Sequence, residues 1–115
     1  MEKFKKLKVW QKAHRLVLEV YKITINFPSQ EKFALVPQMR RAAISVASNI
    51  VEGTKRKSVK DRKHFHNMSE TSLEELKYYF LLSYELKYID LEIGITLNNM
   101  AREIGAMLES LNKAL

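Results

Sequence analysis

The sequence contains no cysteine. That removes both a disulfide framework and a thiolate metal site, and it is compatible with a reducing compartment. Proline and glycine are scarce too, with two and three among 115 residues, which is too few chain breakers for a many-stranded sandwich. Long apolar runs are missing. The N-terminal stretch MEKFKKLKVWQKAH scatters charge throughout, so it never builds the seven or more apolar residues of a signal peptide. No segment approaches the ~20 apolar residues of a membrane span, and a cytoplasmic location is the expectation. Acidic residues are sparse in the first part of the chain: residues 1–63 carry 16 Lys/Arg against 5 Asp/Glu, a net +11, whereas residues 64–115 carry 4 against 8, a net −4. Such asymmetry suits a phosphate backbone or an acidic protein partner.

What is present is helical periodicity. Trp10, Ala13, Val17, Val20, Thr24 and Phe27 recur at steps of three and four and predict a helix over about residues 7–27. Its opposite face, Lys5, Lys8, Lys12, Arg15, Glu19 and Lys22, forms a cationic stripe. Pro28 ends the segment, because the residue before proline is pushed out of the helical region. Pro37 suits the first position of a second helix, about 37–52, and Gly53 suits the left-handed residue just past its end. The spacing of Ser58 and Asp61 is that of a capping box opening a third helix, about 59–88, with a core seam at Phe65, Met68, Ser72, Leu76, Tyr79, Ser83 and Leu86. Asp90 is the N-cap of a fourth helix, about 91–114, carrying Leu97, Met100, Ile104, Met107, Leu108, Leu111 and Leu115, and weakened by Gly94 and Gly105. Connections this short make sequential helices antiparallel neighbours. The expected fold is therefore all-α, a single domain over residues 1–115 arranged as an up-and-down four-helix bundle.

The second helix, around QMRRAAISVASNIVEG (Gln38–Gly53), is unusual. At 100° per residue its apolar side chains span about 200°, twice the stripe a surface helix needs. Alanine and serine at so many positions admit a close neighbouring backbone. Arg40 falls inside the apolar arc and must be paired or reach past the helix start, since burying a lone guanidinium is costly. The third helix is apolar or aromatic nearly all round at Tyr78–Tyr84. One core cannot absorb every face of two such helices, so a subunit interface is expected through parts of both, with Arg40, Arg41, Ala43, Ala47, Asn49 and Glu52 at that interface or in a buried ion pair. Glu52 is expected to pair with Arg40 or Arg41 of a neighbouring helix or subunit.

The candidate ligand-binding residues are cationic. Lys55, Arg56, Lys57, Lys60, Arg62 and Lys63 put six positive charges in nine residues, and with Lys5, Lys8, Lys12 and Arg15 they form the expected nucleic-acid-binding set. Charge runs are also common on plain solvated loops, but this one follows directly on an ordered helix end. Catalytic constellations are weak. His64 and His66 lie about 200° apart on a helix and cannot share a metal as i, i+4 histidines do. Arg62 stands too close to His66 for an all-α ribonuclease signature. Glu52, Asp61, Glu74 and Glu75 have no metal-binding spacing, so neither enzyme activity, a cofactor nor a metal is expected. Trp10 and the tyrosines read as packing residues.

The pattern Leu7-x-Val-Trp10-x-x-Ala13, Phe27-Pro28-x-x-Glu31, Gln38-x-Arg-Arg41-Ala-Ala-x-Ser45-x-x-x-Asn49-Ile-x-Glu52-Gly53 and Ser72-Leu73-x-Glu75-Leu76 resembles the four-helix-bundle proteins encoded by intervening sequences of bacterial 23S rRNA genes. The resemblance covers nearly the whole chain and is most specific from Arg41 to Gly53. Val36-Pro37 and Thr71 depart from the family pattern. The resemblance implies a bundle assembled as a ring-like homopentamer. It also extends to the accessory variability determinants of diversity-generating retroelements, basic pentamers that bind nucleic acid and partner a reverse transcriptase. The function expected is therefore a non-enzymatic basic oligomer that binds nucleic acid, structured RNA foremost, through charge and shape. An adaptor docking an acidic protein such as a reverse transcriptase is the alternative.

Overall fold

The computed structural model describes residues 2–115. Four helices follow one another along the chain: α1 (Lys8–Thr24), α2 (Leu35–Thr54), α3 (Val59–Glu85) and α4 (Leu91–Ala114), with short 3₁₀ turns at Lys3–Lys6 and Ser29–Glu31. Each helix packs on its neighbours in sequence and α1 closes on α4, giving an antiparallel bundle of 43 × 23 × 22 Å. No helix among the described residues is long and apolar enough to cross a membrane.

The core line of α1 is Val9, Ala13, Leu16, Val20 and Thr24. The Thr24 hydroxyl donates back to the Val20 carbonyl at 2.7 Å, and α1 ends there, three residues before the predicted Phe27. Phe27 still turns into the core and meets Tyr88 at a tilt, with ring centroids 5.2 Å apart. α2 begins at Leu35, whose amide is capped by the Glu31 carboxylate at 3.3 Å. Pro37 is thus the third residue of α2 rather than its first, a position that still lies in the turn whose N–H groups lack helical partners.

The predicted caps of α3 and α4 form as expected: Ser58 Oγ accepts from the Asp61 amide at 3.1 Å, and Asp90 Oδ1 accepts from the Ile93 amide at 2.8 Å. The left-handed helix stop is elsewhere than predicted. Gly53 lies inside α2 with an ordinary helical backbone, and the positive φ belongs to Lys87, at 67°. Lys87 closes α3 by donating its amide to the Tyr84 carbonyl at 2.9 Å, while the Tyr88 amide reaches the Ser83 carbonyl at 2.8 Å. This is the paired 5→2 and 6→1 bonding of a Schellman stop, and it sets the end of α3 at Glu85 instead of Tyr88.

α2 and α3 share the most extensive interface in the bundle. The buried line of α3 is His66, Ser69, Leu73, Leu76, Phe80 and Ser83, so the predicted seam is right at Leu76 and Ser83 and one residue off at most other positions. Met68 and Leu86 are exposed. Close approach decides the register: fully buried Ser69 donates to the Val46 carbonyl of α2 at 2.7 Å, and buried Ser83 contacts the Met39 sulfur at 3.5 Å. A Met or Leu at either position would hold the backbones apart.

The broad apolar arc of α2 is covered by α1 and α3 of the same chain. Ala43 is 0% exposed and Ala47 8%, and Asn49 is buried with its amide donating to the Ser45 carbonyl at 2.9 Å and hydroxyl at 3.0 Å. These three residues are buried within a single protomer. Two groups of large side chains are left exposed, Tyr21, Ile25, Phe33 and Ile44 on the α1–α2 side and Tyr78, Leu81, Tyr84, Leu91 and Ile95 on the α3–α4 side, while Val59, Met68, Leu111 and Leu115 are exposed towards the end where α1 begins. Phe33, in the loop before α2, is 88% exposed.

A candidate nucleic-acid interface

The antiparallel arrangement places the start of α1, the end of α2, the start of α3 and the end of α4 at one end of the molecule. His66 at the start of α3 meets Asn112 at the end of α4, Nδ1 to Oδ1, at 2.7 Å, and Asn112 in turn donates to Asn67 at 3.2 Å. The His66 ring also packs over Gly53, where an added Cβ would stand 3.4 Å from Nε2. His66 is therefore a buried interhelical tie, whereas His64 is exposed. At the opposite end the two loops meet, with Tyr88 donating to the Glu31 carboxylate at 2.7 Å, a bond that raises the Tyr88 pKa.

The end that holds His66 gathers the basic residues. The turn from Lys55 to Ser58 joins α2 to α3 there, and the N-terminal 3₁₀ turn, which touches both α1 and α2, precedes the start of α1 at the same end. Lys55, Lys57 and Lys60 are exposed and have no ion-pair partner among the described residues. Arg56 and Arg62, by contrast, build the turn. Arg56 pairs with Glu52 one helical turn earlier at 3.0 Å and lies over the Phe65 ring at 4.5 Å, while Arg62 Nε donates to the Arg56 carbonyl at 2.8 Å. Lys63 is half-buried on α3. Glu52 thus takes Arg56 instead of Arg40 or Arg41, because an i, i+4 partner is already in reach.

Arg40 meets the requirement stated for it by reaching past the helix. Its guanidinium covers the Tyr21 ring at 4.3 Å and its Nε donates to the Thr24 hydroxyl at 3.0 Å. Arg41 is exposed on the α2–α3 side, where its charge acts on Tyr79, although burial and the hydrogen bond to Glu75 still raise that phenol's pKa.

The cationic stripe of α1 runs up from the basic end. Lys8, Lys12 and Arg15 are exposed and line, with Gln11, Asn99 and Glu103, an open groove of about 770 Å³ between α1 and α4. Lys12 is ion-paired to Glu103 across it. Lys5, in the N-terminal turn, is exposed, and its carbonyl accepts from the Gln11 side-chain amide at 2.8 Å, which fastens that turn to α1. The structure thus brings Lys5, Lys8, Lys55, Lys57 and Lys60 to one end and leaves Arg15 farther along the side.

Sequence reasoning missed two features. Lys3 and Lys6 join the basic end. Exposed His14 lies flat on Trp10, with centroids 4.9 Å and planes 8° apart, and Phe4 meets Trp10 edge-on at 5.0 Å. The i, i+4 spacing of Trp10 and His14 was the available signal. Glu70 is also notable. One carboxylate oxygen is buried without a partner, and burial, followed by the Glu109 charge, holds its pKa above the usual carboxylate value.

A profile of the 23S rRNA-intervening sequence proteins matches residues 5–110. No curated protein matches the chain. Among solved structures, a protein of unknown function from the S23 ribosomal protein family of Bacteroides thetaiotaomicron is similar at 27% identity and a TM-score of 0.82, over 91% of this chain and 98% of that one. With the match spanning nearly all of the bundle, the chain belongs to the 23S rRNA-intervening sequence protein family.

Proposed function

We propose that the protein is a non-enzymatic, homo-oligomeric cytoplasmic bundle that binds nucleic acid, structured RNA foremost, through the charge and shape of its basic end. The observation that supports this reading is that the antiparallel order puts the N-terminal turn and the α2–α3 turn, with Lys5, Lys8, Lys55, Lys57 and Lys60, at the same end of the bundle. A patch of this kind neutralises phosphates and releases their counterions, with no need of base-edge contacts. The family's name, which ties its members to intervening sequences of 23S rRNA, agrees with an RNA ligand.

Assembly completes the reading. Exposed apolar side chains on the α1–α2 side and on the α3–α4 side lie on opposite flanks of the bundle. Two different patches that meet head to tail generate a ring if the rotation closes, and the family resemblance supports five subunits as the number. Repeating the basic end around a ring multiplies its field.

Filter binding to a stem-loop RNA across a salt series tests the proposal. The expected outcome is an affinity that falls linearly on logarithmic axes, by roughly 0.9 per phosphate contacted on duplex. Replacing Lys55, Lys57 and Lys60 together by glutamine then flattens the slope by about 2–3. An affinity indifferent to salt, or no binding near ~50 mM salt, overturns it. Co-purification without nuclease treatment identifies the partner; an acidic protein in place of nucleic acid points to the adaptor role.

A further inference from the structure

In Lys3-Phe4-Lys5-Lys6-Leu7-Lys8-Val9-Trp10, four lysines are interleaved with apolar residues that include the rings Phe4 and Trp10, and the fold gathers these into a surface. The 3₁₀ turn lies across the first turn of α1, held by the Gln11 amide on the Lys5 carbonyl at 2.8 Å. Phe4 is thereby set edge-on to Trp10 at 5.0 Å, with Lys3, Lys5 and Lys6 exposed around the rings. Trp10 is half-buried against the core, but the stack continues outward to exposed His14, whose ring is within 8° of parallel at 4.9 Å. The core line of α1, Val9, Ala13, Leu16 and Val20, is complete without His14.

A π stack whose outermost ring, His14, is exposed, set among cations at the end of a basic molecule, is an arrangement that holds unpaired bases. Every base has a π face that stacks on aromatic rings, and cations beside it follow the backbone. In a duplex those faces are covered by neighbouring pairs, whereas loops, bulges and single strands offer them. We infer that Phe4, Trp10 and His14 form a base-stacking platform, so that the basic end prefers unpaired nucleotides to uninterrupted duplex. This rests on the nucleic-acid reading above and adds the part of the ligand that is gripped.

Trp10 is the only tryptophan in the chain, so its emission reports on the platform without a label. An unpaired oligoadenylate of about 12 nucleotides, within the site sizes typical of single-strand binders, and a duplex of equal length are titrated at low salt into the wild type, His14→Ala and His14→Phe. His14 is exposed, so both variants keep the core, which circular dichroism verifies. The single strand is expected to quench Trp10 emission. His14→Ala should weaken single-strand binding about 5-fold or more, the range for loss of one stacked base, and His14→Phe should restore it, with duplex affinity unchanged by either. Single-strand binding that leaves Trp10 emission unaltered and tolerates His14→Ala overturns the platform while leaving the basic end as a phosphate site. Failure of both ligands to bind overturns the platform and the nucleic-acid reading together.

Discussion

Lys87 occupies a conformation that favours glycine, and Gly53 occupies one that does not. For an L-residue the left-handed region costs roughly 1–2 kcal/mol, and the added freedom of an unfolded glycine returns part of any gain. Lys87→Gly is therefore expected to stabilise the bundle by about 0.5–1 kcal/mol in urea denaturation. Glu70 is a second residue under tension. Burial and the charges of Glu109 and Glu74 raise its pKa, against an opposing pull from His66. A carboxyl raised in this way supports the fold when protonated and loses that support as pH rises through the folded-state value. Glu70→Gln keeps the shape without the charge. It should melt higher than the wild type at neutral pH and no differently below about pH 4, where the unfolded carboxyl is also protonated; an equal offset at both values would show that charge is not the cause.

Among the elements, the α2–α3 interface sets how closely the bundle packs. Overfilling a dry contact typically costs about 1–3 kcal/mol, so Ala43→Leu should lower the stability of the single protomer by at least that much. A denaturation midpoint that moves only with protein concentration would instead place Ala43 between subunits. The same interface explains how much of the fold was legible in the sequence. Helix number, order and the caps at Ser58 and Asp90 rest on interactions three or four residues apart, and a sequence displays those directly. The register of α3 was hidden, because Ser69 and Ser83 are buried through contacts with Val46 and Met39, more than twenty residues away in the chain. Glu52 was misassigned for the opposite reason: the sequence offered distant arginines, and the structure uses the one four residues on. Of the candidate site, the Lys55–Lys63 run was visible as composition, but its placement at the same end as the N-terminal turn depends on the antiparallel closure of the bundle.

For the whole molecule, cations are concentrated towards one end of the long axis. Cations collect at the end with Lys5 and Lys55, while Ile25, Phe33, Tyr84, Leu91 and Ile95 lie in the other half. If assembly uses these apolar side chains, the double variant Ile25→Asp, Ile95→Asp should run as a monomer in light scattering and still melt cooperatively, because both side chains are exposed. Lost assembly should also weaken RNA binding by removing the multiplicity of basic ends, with the salt slope falling in step. The connectivity carries a further consequence, for how the chain comes off the ribosome. Every major helix contact joins neighbours in sequence except the one between α1 and α4. A nascent chain emerging N-terminus first therefore has α1, α2 and α3 available to dock before α4 exists. α4 delivers Glu103 to Lys12 and Asn112 to His66, so the bundle becomes whole only once α4 has been made.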